Sequence, residues 1–288
     1  MSATAEILAQ VNRLPAFPTS AARLAELLHD DRAGAAEVEK VIRPDPALTA
    51  NLLRMACAPY FSPRSRPETV RQAVTLLGVK RTFEIATGAA LSSLIPARLP
   101  GYDLEARSFW LHCVAVAVFS ERLGRETGNR SPDLLFTAGL LHDVGKLVIS
   151  TFVFRQARAI LLKSRLGMDF AAAEREVLGV DHAEIGAQVA EIWKLPEPVV
   201  LAARWHHRPM QAPAEVDRTL VSLVHLADAL AISLGLGCDA GELARAIDPE
   251  VLGSLGIRVR RMEFVASEGL DAVHELAAAL GEVREVAK

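Results

Sequence analysis

Aromatic residues are few in this chain, at 5% with only two tyrosines. Alternation of β-branched residues is scarce, and Ala and Leu dominate. A half-buried sheet draws on the residues that are missing, so the composition points to helix. Cysteine is also sparse. Cys57, Cys113 and Cys238 are odd in number and far apart, which excludes a disulfide framework and a zinc-finger spacing and fits a reducing cytoplasm. Charge of one sign is absent as well. The net charge is −3 over 288 residues, so no global basic field draws in nucleic acid or anionic lipid. No unbroken run of about 18 apolar residues is present, and Met1–Gln10 carries Glu6 without a basic start. No membrane span and no signal peptide are therefore expected.

Apolar residues make up 51% of the chain, enough for a sizeable core. The punctuation marks helices. Pro15 and Pro18 precede Thr19–His29, where Ala22, Leu24, Leu27 and Leu28 recur at helical intervals. Asp45 between Pro44 and Pro46 is an N-cap candidate for Ala47–Ala56. Val70, Ala73, Val74 and Leu77 share a face, with Gly78 as a stop before a further helix over Val79–Leu94. Ile95–Gly101 breaks the pattern and sets a subdomain boundary. Further helices are predicted over Leu104–Glu126, from Pro132 to about Asp143, from His182 to Trp193 behind an Asp181/Glu184 capping box, from Pro196 to His206–His207, and over Arg218–Leu234, Gly241–Ile247 and Val265–Glu285. The expected organisation is an N-terminal helical subdomain over 1–100, a metal-site subdomain over 101–240, and C-terminal helices over 241–288.

Eight histidines are present, and only His29 lies in the first hundred residues. His112 sits in mid-helix, His142 is followed at once by Asp143, His182 opens a helix, and His206–His207 closes one. Asp228 follows in the next helix. Imidazole nitrogens with carboxylate oxygens suit divalent iron, manganese, zinc or nickel. Asp143 is the candidate to bridge two ions, and Lys146, one turn later, is the candidate phosphate contact. A lone histidine is more often a satisfied packing residue than a ligand, and His29, His225 and His274 keep that reading. Asp181 is better explained as a cap than as a ligand. The combination of the remaining residues carries the metal reading.

Leu140-Leu141-His142-Asp143-Val144-Gly145-Lys146 resembles the defining motif of the HD phosphohydrolase superfamily. Phe109-Trp110-Leu111-His112 and Leu226-Ala227-Asp228 resemble that superfamily's first histidine and last aspartate. The resemblance implies one metal on His112, His142, Asp143 and Asp228. His182, His206 and His207 resemble the second-metal ligands of its binuclear branch. The more specific resemblance is to the HDOD family, the HD-related output domain of bacterial signalling proteins. It rests on Leu14-Pro15-Ala16-Phe17-Pro18, Asp45-Pro46-Ala47-Leu48-Thr49, Ala73-Val74-Thr75-Leu76-Leu77-Gly78, Asp181-His182-Ala183-Glu184-Ile185-Gly186 and Trp193-Lys194-Leu195-Pro196. It implies an all-α, multi-helix HD-type phosphohydrolase-like bundle with an N-terminal helical subdomain.

Three departures from those patterns stand out. Arg208-Pro209-Met210 follows the His-His pair where the phosphodiesterase branch has an acidic residue and, later, Gly-Tyr-Pro. Ser108 stands four residues before His112, where three-metal relatives have a carboxylate. Ala56-Cys57-Ala58 stands where the family usually has an asparagine. The expected function is therefore a signalling module with one or two divalent metals and weak or no catalysis. Its expected partner is a signalling protein in trans, with a nucleotide or other phosphate as candidate ligand. The alternative is a metal-dependent phosphohydrolase or phosphodiesterase in which Asp143 and Lys146 serve catalysis.

Overall fold

Most of the punctuation read from the sequence maps onto helix ends. The computed structural model describes residues 3–28, 33–61, 66–129, 132–237 and 247–280. The helices are α1 (Ala3–Val11), α2 (Thr19–Leu27), α3 (Ala35–Ile42), α4 (Pro46–Ala56), α5 (Val70–Leu94), α6 (Ala106–Glu126), α7 (Pro132–Leu141), α8 (Lys146–Arg155), α9 (Ala157–Arg165), α10 (Phe170–Leu178), α11 (His182–Ile192), α12 (Glu197–Trp205), α13 (Arg218–Ser233), α14 (Pro249–Leu255) and α15 (Val259–Leu280). A short 3-10 turn covers Pro209–Gln211. A two-residue hairpin, β1 (Arg98–Leu99) with β2 (Leu104–Glu105), is the sheet among the described residues. The all-α expectation holds.

Local chemistry explains the boundaries. Asp45 caps α4 by accepting from the Leu48 amide at 2.9 Å, with Pro46 at the first helical position. Gly78 adopts φ 79°, a left-handed conformation that a β-carbon disfavours, and kinks α5 where the sequence marks a stop. The helix expected from Leu104 begins instead at Ala106, because Leu104 and Glu105 pair with Leu99 and Arg98. Asp181 accepts from the Glu184 amide at 2.8 Å, while its second oxygen faces Arg175 and Arg208. The helix over Gly241–Ile247, Cys238 and His29 lie wholly or largely outside the described residues. Helices α1, α3, α8, α9, α10 and α14 were not read from the sequence.

One hydrophobic core runs from Ile7 to Leu276 across both halves of the chain. Helix α6 lies at its centre and packs against α7, α13 and α15. The family-like segments meet in space. Phe17 stacks on Trp193 with ring centroids 5.0 Å apart, and the Trp193 indole donates to the Pro15 carbonyl at 3.3 Å. Tyr60 and Arg81 both donate to Glu121 of α6, and Arg81 also pairs with Glu84 at 2.7 Å. These polar ties hold the N-terminal helices on α6, the helix that carries His112. Leu134–Arg155 is long and apolar enough to span a bilayer by composition alone, but an 18-residue stretch of it is 83% buried in the core and the segment contains His142, Asp143 and Lys146.

Candidate metal centre

Four helices and one turn deliver the seven residues proposed as ligands. His112 comes from the middle of α6 and Asp228 from the middle of α13. His142 and Asp143 sit in the turn between α7 and α8. His182 is the first residue of α11. His206 caps α12, and His207 follows it. All seven converge into two adjoining groups. Asp143, His182, His206 and His207 form one group, and His112, His142 and Asp228 form the other, with ligand atoms in each group within 4.8 Å of one another.

Asp143 stands between the groups, one oxygen to each. Its Oδ2 lies 3.4 Å from His142 Nε2 and 3.7 Å from His112 Nε2. Its Oδ1 lies 3.4 Å from His182 Nε2 and 3.6 Å from His206 Nε2. Asp228 Oδ1 completes the other side, 3.3 Å from His112 Nε2. A carboxylate that faces two ligand sets in this way has the geometry of a bridge between two cations.

Three of the histidines are turned so that their outer nitrogens meet backbone carbonyls. Nδ1 of His142 donates to the Gly139 carbonyl at 2.7 Å, that of His112 to Leu236 at 3.1 Å, and that of His206 to Ala203 at 2.9 Å. A carbonyl can only accept, so each Nδ1 carries the proton and each Nε2 presents its lone pair inward. Nε2 of His112 and His142 and Oδ1 of Asp143 are buried and make no hydrogen bond with the described residues. Buried polar atoms are rarely left so, and a cation at this point would satisfy them. The donor set therefore fits a divalent ion of the iron, manganese, zinc or nickel type. Such an ion would supply Lewis acidity and a lowered pKa for bound water.

Lys146 does not face open space. It is 1% exposed, and its Nζ lies 2.7 Å from Asp143 Oδ2 and 5.1 Å from the Tyr102 ring centre. Glu174, which sequence reasoning passed over, and His225, which it read as a packing residue, also belong here. Glu174 of α10 is fully buried and accepts from His182 Nδ1 at 2.7 Å. His225 Nδ1 donates to the His206 carbonyl at 2.7 Å. No local spacing ties Glu174 to His182, since a left-handed turn at Gly179 separates their helices. His225 did carry a signal, three residues before Asp228 on the same helix. His274 is exposed on α15.

The cluster sets its own protonation. Burial alone would raise the Asp143 carboxyl, but the Lys146 cation, followed by the nearby His142 and His206 rings, holds it well below the usual range. Burial opposes the charged form of His182, yet Glu174 and then Asp143 push it up to about 9. Burial brings His206 down to about 4, assisted by His142 and opposed by Asp143. The signs give a pH profile for metal-free protein. The raised His182 stabilises fully below its ordinary 6.5, and that contribution is lost as pH rises through 9. The lowered His206 stabilises above 6.5, and its contribution is lost as pH falls toward 4. In excess chelator, melting temperature is expected to peak near neutrality and fall on both sides between pH 4.5 and 9.5. A melting temperature still climbing beyond pH 9 would contradict the His182–Glu174 assignment.

The sequence matches the HDOD domain family over residues 14–209. The chain belongs to the HDOD family. An HDOD domain protein of unknown function from Geobacter sulfurreducens has the same fold, with a TM-score of 0.77 at 26% identity, covering 99% of this chain and 98% of that one. A protein from Shewanella amazonensis SB2B, provisionally named a phosphohydrolase, superposes with a TM-score of 0.73 at 24% identity over 96% of this chain and 99% of its own. An uncharacterized protein of Treponema pallidum (strain Nichols) is 25% identical over 232 residues, or 78% of this chain. The HDOD chain spans 43% of that relative's length.

Proposed function

We propose that this HDOD chain is a metal-loaded regulatory module that acts on a partner protein in trans and turns over substrate slowly or not at all. The observation that carries this reading is the enclosure of the cluster. His112, His142, Asp143, His182, His206 and Asp228 are each 0–2% exposed, and only His207 reaches the half-buried rim. A phosphate ester must approach both the ions and a cationic side chain to be cleaved. The cation expected to serve here, Lys146, is sealed in and engaged with Asp143. Ions held in this way link α6, the α7–α8 turn, α11, α12 and α13, so their occupancy biases the packing of those helices.

The second reading, a two-metal phosphohydrolase, draws support from Asp143, whose two oxygens each face one ligand group. In that case His112, His142, Asp143 and Asp228 hold one ion, and Asp143 with His182, His206 and His207 holds the other. Elemental mass spectrometry of protein purified without chelator or affinity metal, beside a phosphate-ester screen, separates the two. About two ions per chain with no turnover above the free-metal control supports the module. Turnover that survives repurification and disappears in Lys146→Ala favours the hydrolase. Protein that holds no ion even after metal is added sinks both.

A further inference from the structure

The connector between the two halves of the chain reaches the cluster directly. Hairpin β1–β2 places Tyr102 at its turn, and that side chain is 1% exposed. The Tyr102 hydroxyl donates to Glu174 Oε1 at 2.6 Å. The other oxygen, Glu174 Oε2, accepts from both the His182 amide at 2.9 Å and His182 Nδ1 at 2.7 Å. The Tyr102 ring presents its face to Lys146 Nζ at 5.1 Å and meets the His182 ring edge-on, with centroids 6.1 Å apart. The hairpin is seated on α8 by a bond from the Gly101 amide to Ser150 Oγ at 3.1 Å. A chain of contacts thus runs from hairpin to Tyr102, Glu174 and His182, and ends at the group formed with Asp143, His206 and His207. Its counterparts in the other group are fixed differently, since His112 and His142 use backbone carbonyls.

We propose that Glu174 and Tyr102 are positioning residues for the second metal subsite: Glu174 fixes the ring of His182, and Tyr102 fixes Glu174. Occupancy of that subsite then depends on the seating of the connecting hairpin, while the subsite of His112, His142 and Asp228 does not. The inference rests on the metal-loaded reading above. The physical basis is that a carboxylate on the outer nitrogen of a ligating histidine sets its orientation and raises its basicity, and removing it weakens binding by about 10–100-fold. A carboxylate is needed in full because one oxygen receives two donors from His182 and the other receives the tyrosine. A glutamine in its place lacks the charge, and a phenylalanine at 102 keeps the ring on Lys146 but leaves Glu174 with one donor fewer.

The test is a titration of the chelator-treated 288-residue chain with Co²⁺, followed by visible absorption and by calorimetry, for wild type, Glu174→Gln and Tyr102→Phe. Wild type is expected to take up two equivalents. In Glu174→Gln the second equivalent is expected to bind about 10–100-fold more weakly, with an altered absorption band, while the first changes by less than about threefold. Tyr102→Phe is expected to weaken the same step by about threefold to tenfold. The metal-free variants are expected to melt close to wild type, which separates positioning from loss of fold. Unchanged second-step affinity in both variants overturns the proposal and leaves the metal reading standing. Equal weakening of both steps also overturns it. Wild-type protein that takes up one ion or none removes the second subsite, and the inference with it. If Glu174→Gln does not fold, Tyr102→Phe decides alone, since it removes a single hydroxyl.

Discussion

Asp143→Ala is expected to reduce the metal content from about two ions per chain to near zero. Both oxygens are used, with Oδ2 3.4 Å from His142 Nε2 and Oδ1 3.4 Å from His182 Nε2. Removing the side chain leaves each group without its shared anion, and Asp228 becomes the one carboxylate among the remaining ligands. The loss extends beyond metal. Lys146 Nζ sits 2.7 Å from Asp143 Oδ2 and is 1% exposed, so the variant takes the Asp143 carboxylate away from a buried cation. That costs about 3–5 kcal/mol, or on the order of 10 °C in melting temperature for a chain of this size. Asp143→Asn separates the two effects. Its side chain keeps the shape and an acceptor for Lys146, so metal should be lost with a smaller drop in melting temperature. Elemental analysis and thermal melts of the three proteins check this. Two ions retained in Asp143→Ala would remove Asp143 from the centre of the site.

Gly145→Ala is expected to give a chain that does not reach this fold, or one destabilised by more than about 4 kcal/mol. Its backbone is ordinary helix, with φ −63°, so the constraint is space. A β-carbon there would lie 2.0 Å from the His182 carbonyl oxygen and 2.5 Å from the Gly186 amide nitrogen. Those are backbone atoms of the first turns of α11 and cannot rotate aside, so α8 and α11 would have to separate. The separation moves His182 away from Asp143, and any folded remnant should lose the second ion first. Gly253→Ala in α14 is the control, because nothing lies within 4 Å of its added carbon, and helix propensity alone predicts a gain of up to about 1 kcal/mol. Urea melts of both variants decide the matter. A Gly145→Ala protein as stable as wild type would show that the two helices do not approach so closely.

The close approach at Gly145 also explains the sequence His142-Asp143-Val144-Gly145-Lys146 in physical terms. The histidine and aspartate are ligand candidates, the glycine admits α11, and the lysine answers the charge of Asp143 from one turn further on. His142, Asp143 and Lys146 were legible as chemistry. The role of the glycine was not, because nothing in the local pattern shows that a second backbone passes against it. Lys146 reads from the sequence as a phosphate contact, but in the folded chain its cation is buried on Asp143 and under Tyr102.

Helix periodicity, proline and glycine placement and capping residues are local properties, so the sequence by itself determined the all-helical class, the kink at Gly78, the cap at Asp45 and the set of seven candidate ligands. It also carried the family, because the His-Asp pair and the segments around Phe17 and Trp193 lie within the stretch that matches it. Convergence is not local. The resemblance already implied two ligand sets sharing Asp143, but only the tertiary structure brought His142 and His182 to 3.4 Å from its two separate oxygens. It alone turned Nδ1 of His112, His142 and His206 onto carbonyls and that of His182 onto Glu174, and brought Tyr102 from the connecting hairpin to Glu174. Those outcomes depend on where α6, α8, α10, α11, α12 and α13 cross, and crossing is set by packing between residues far apart in the chain.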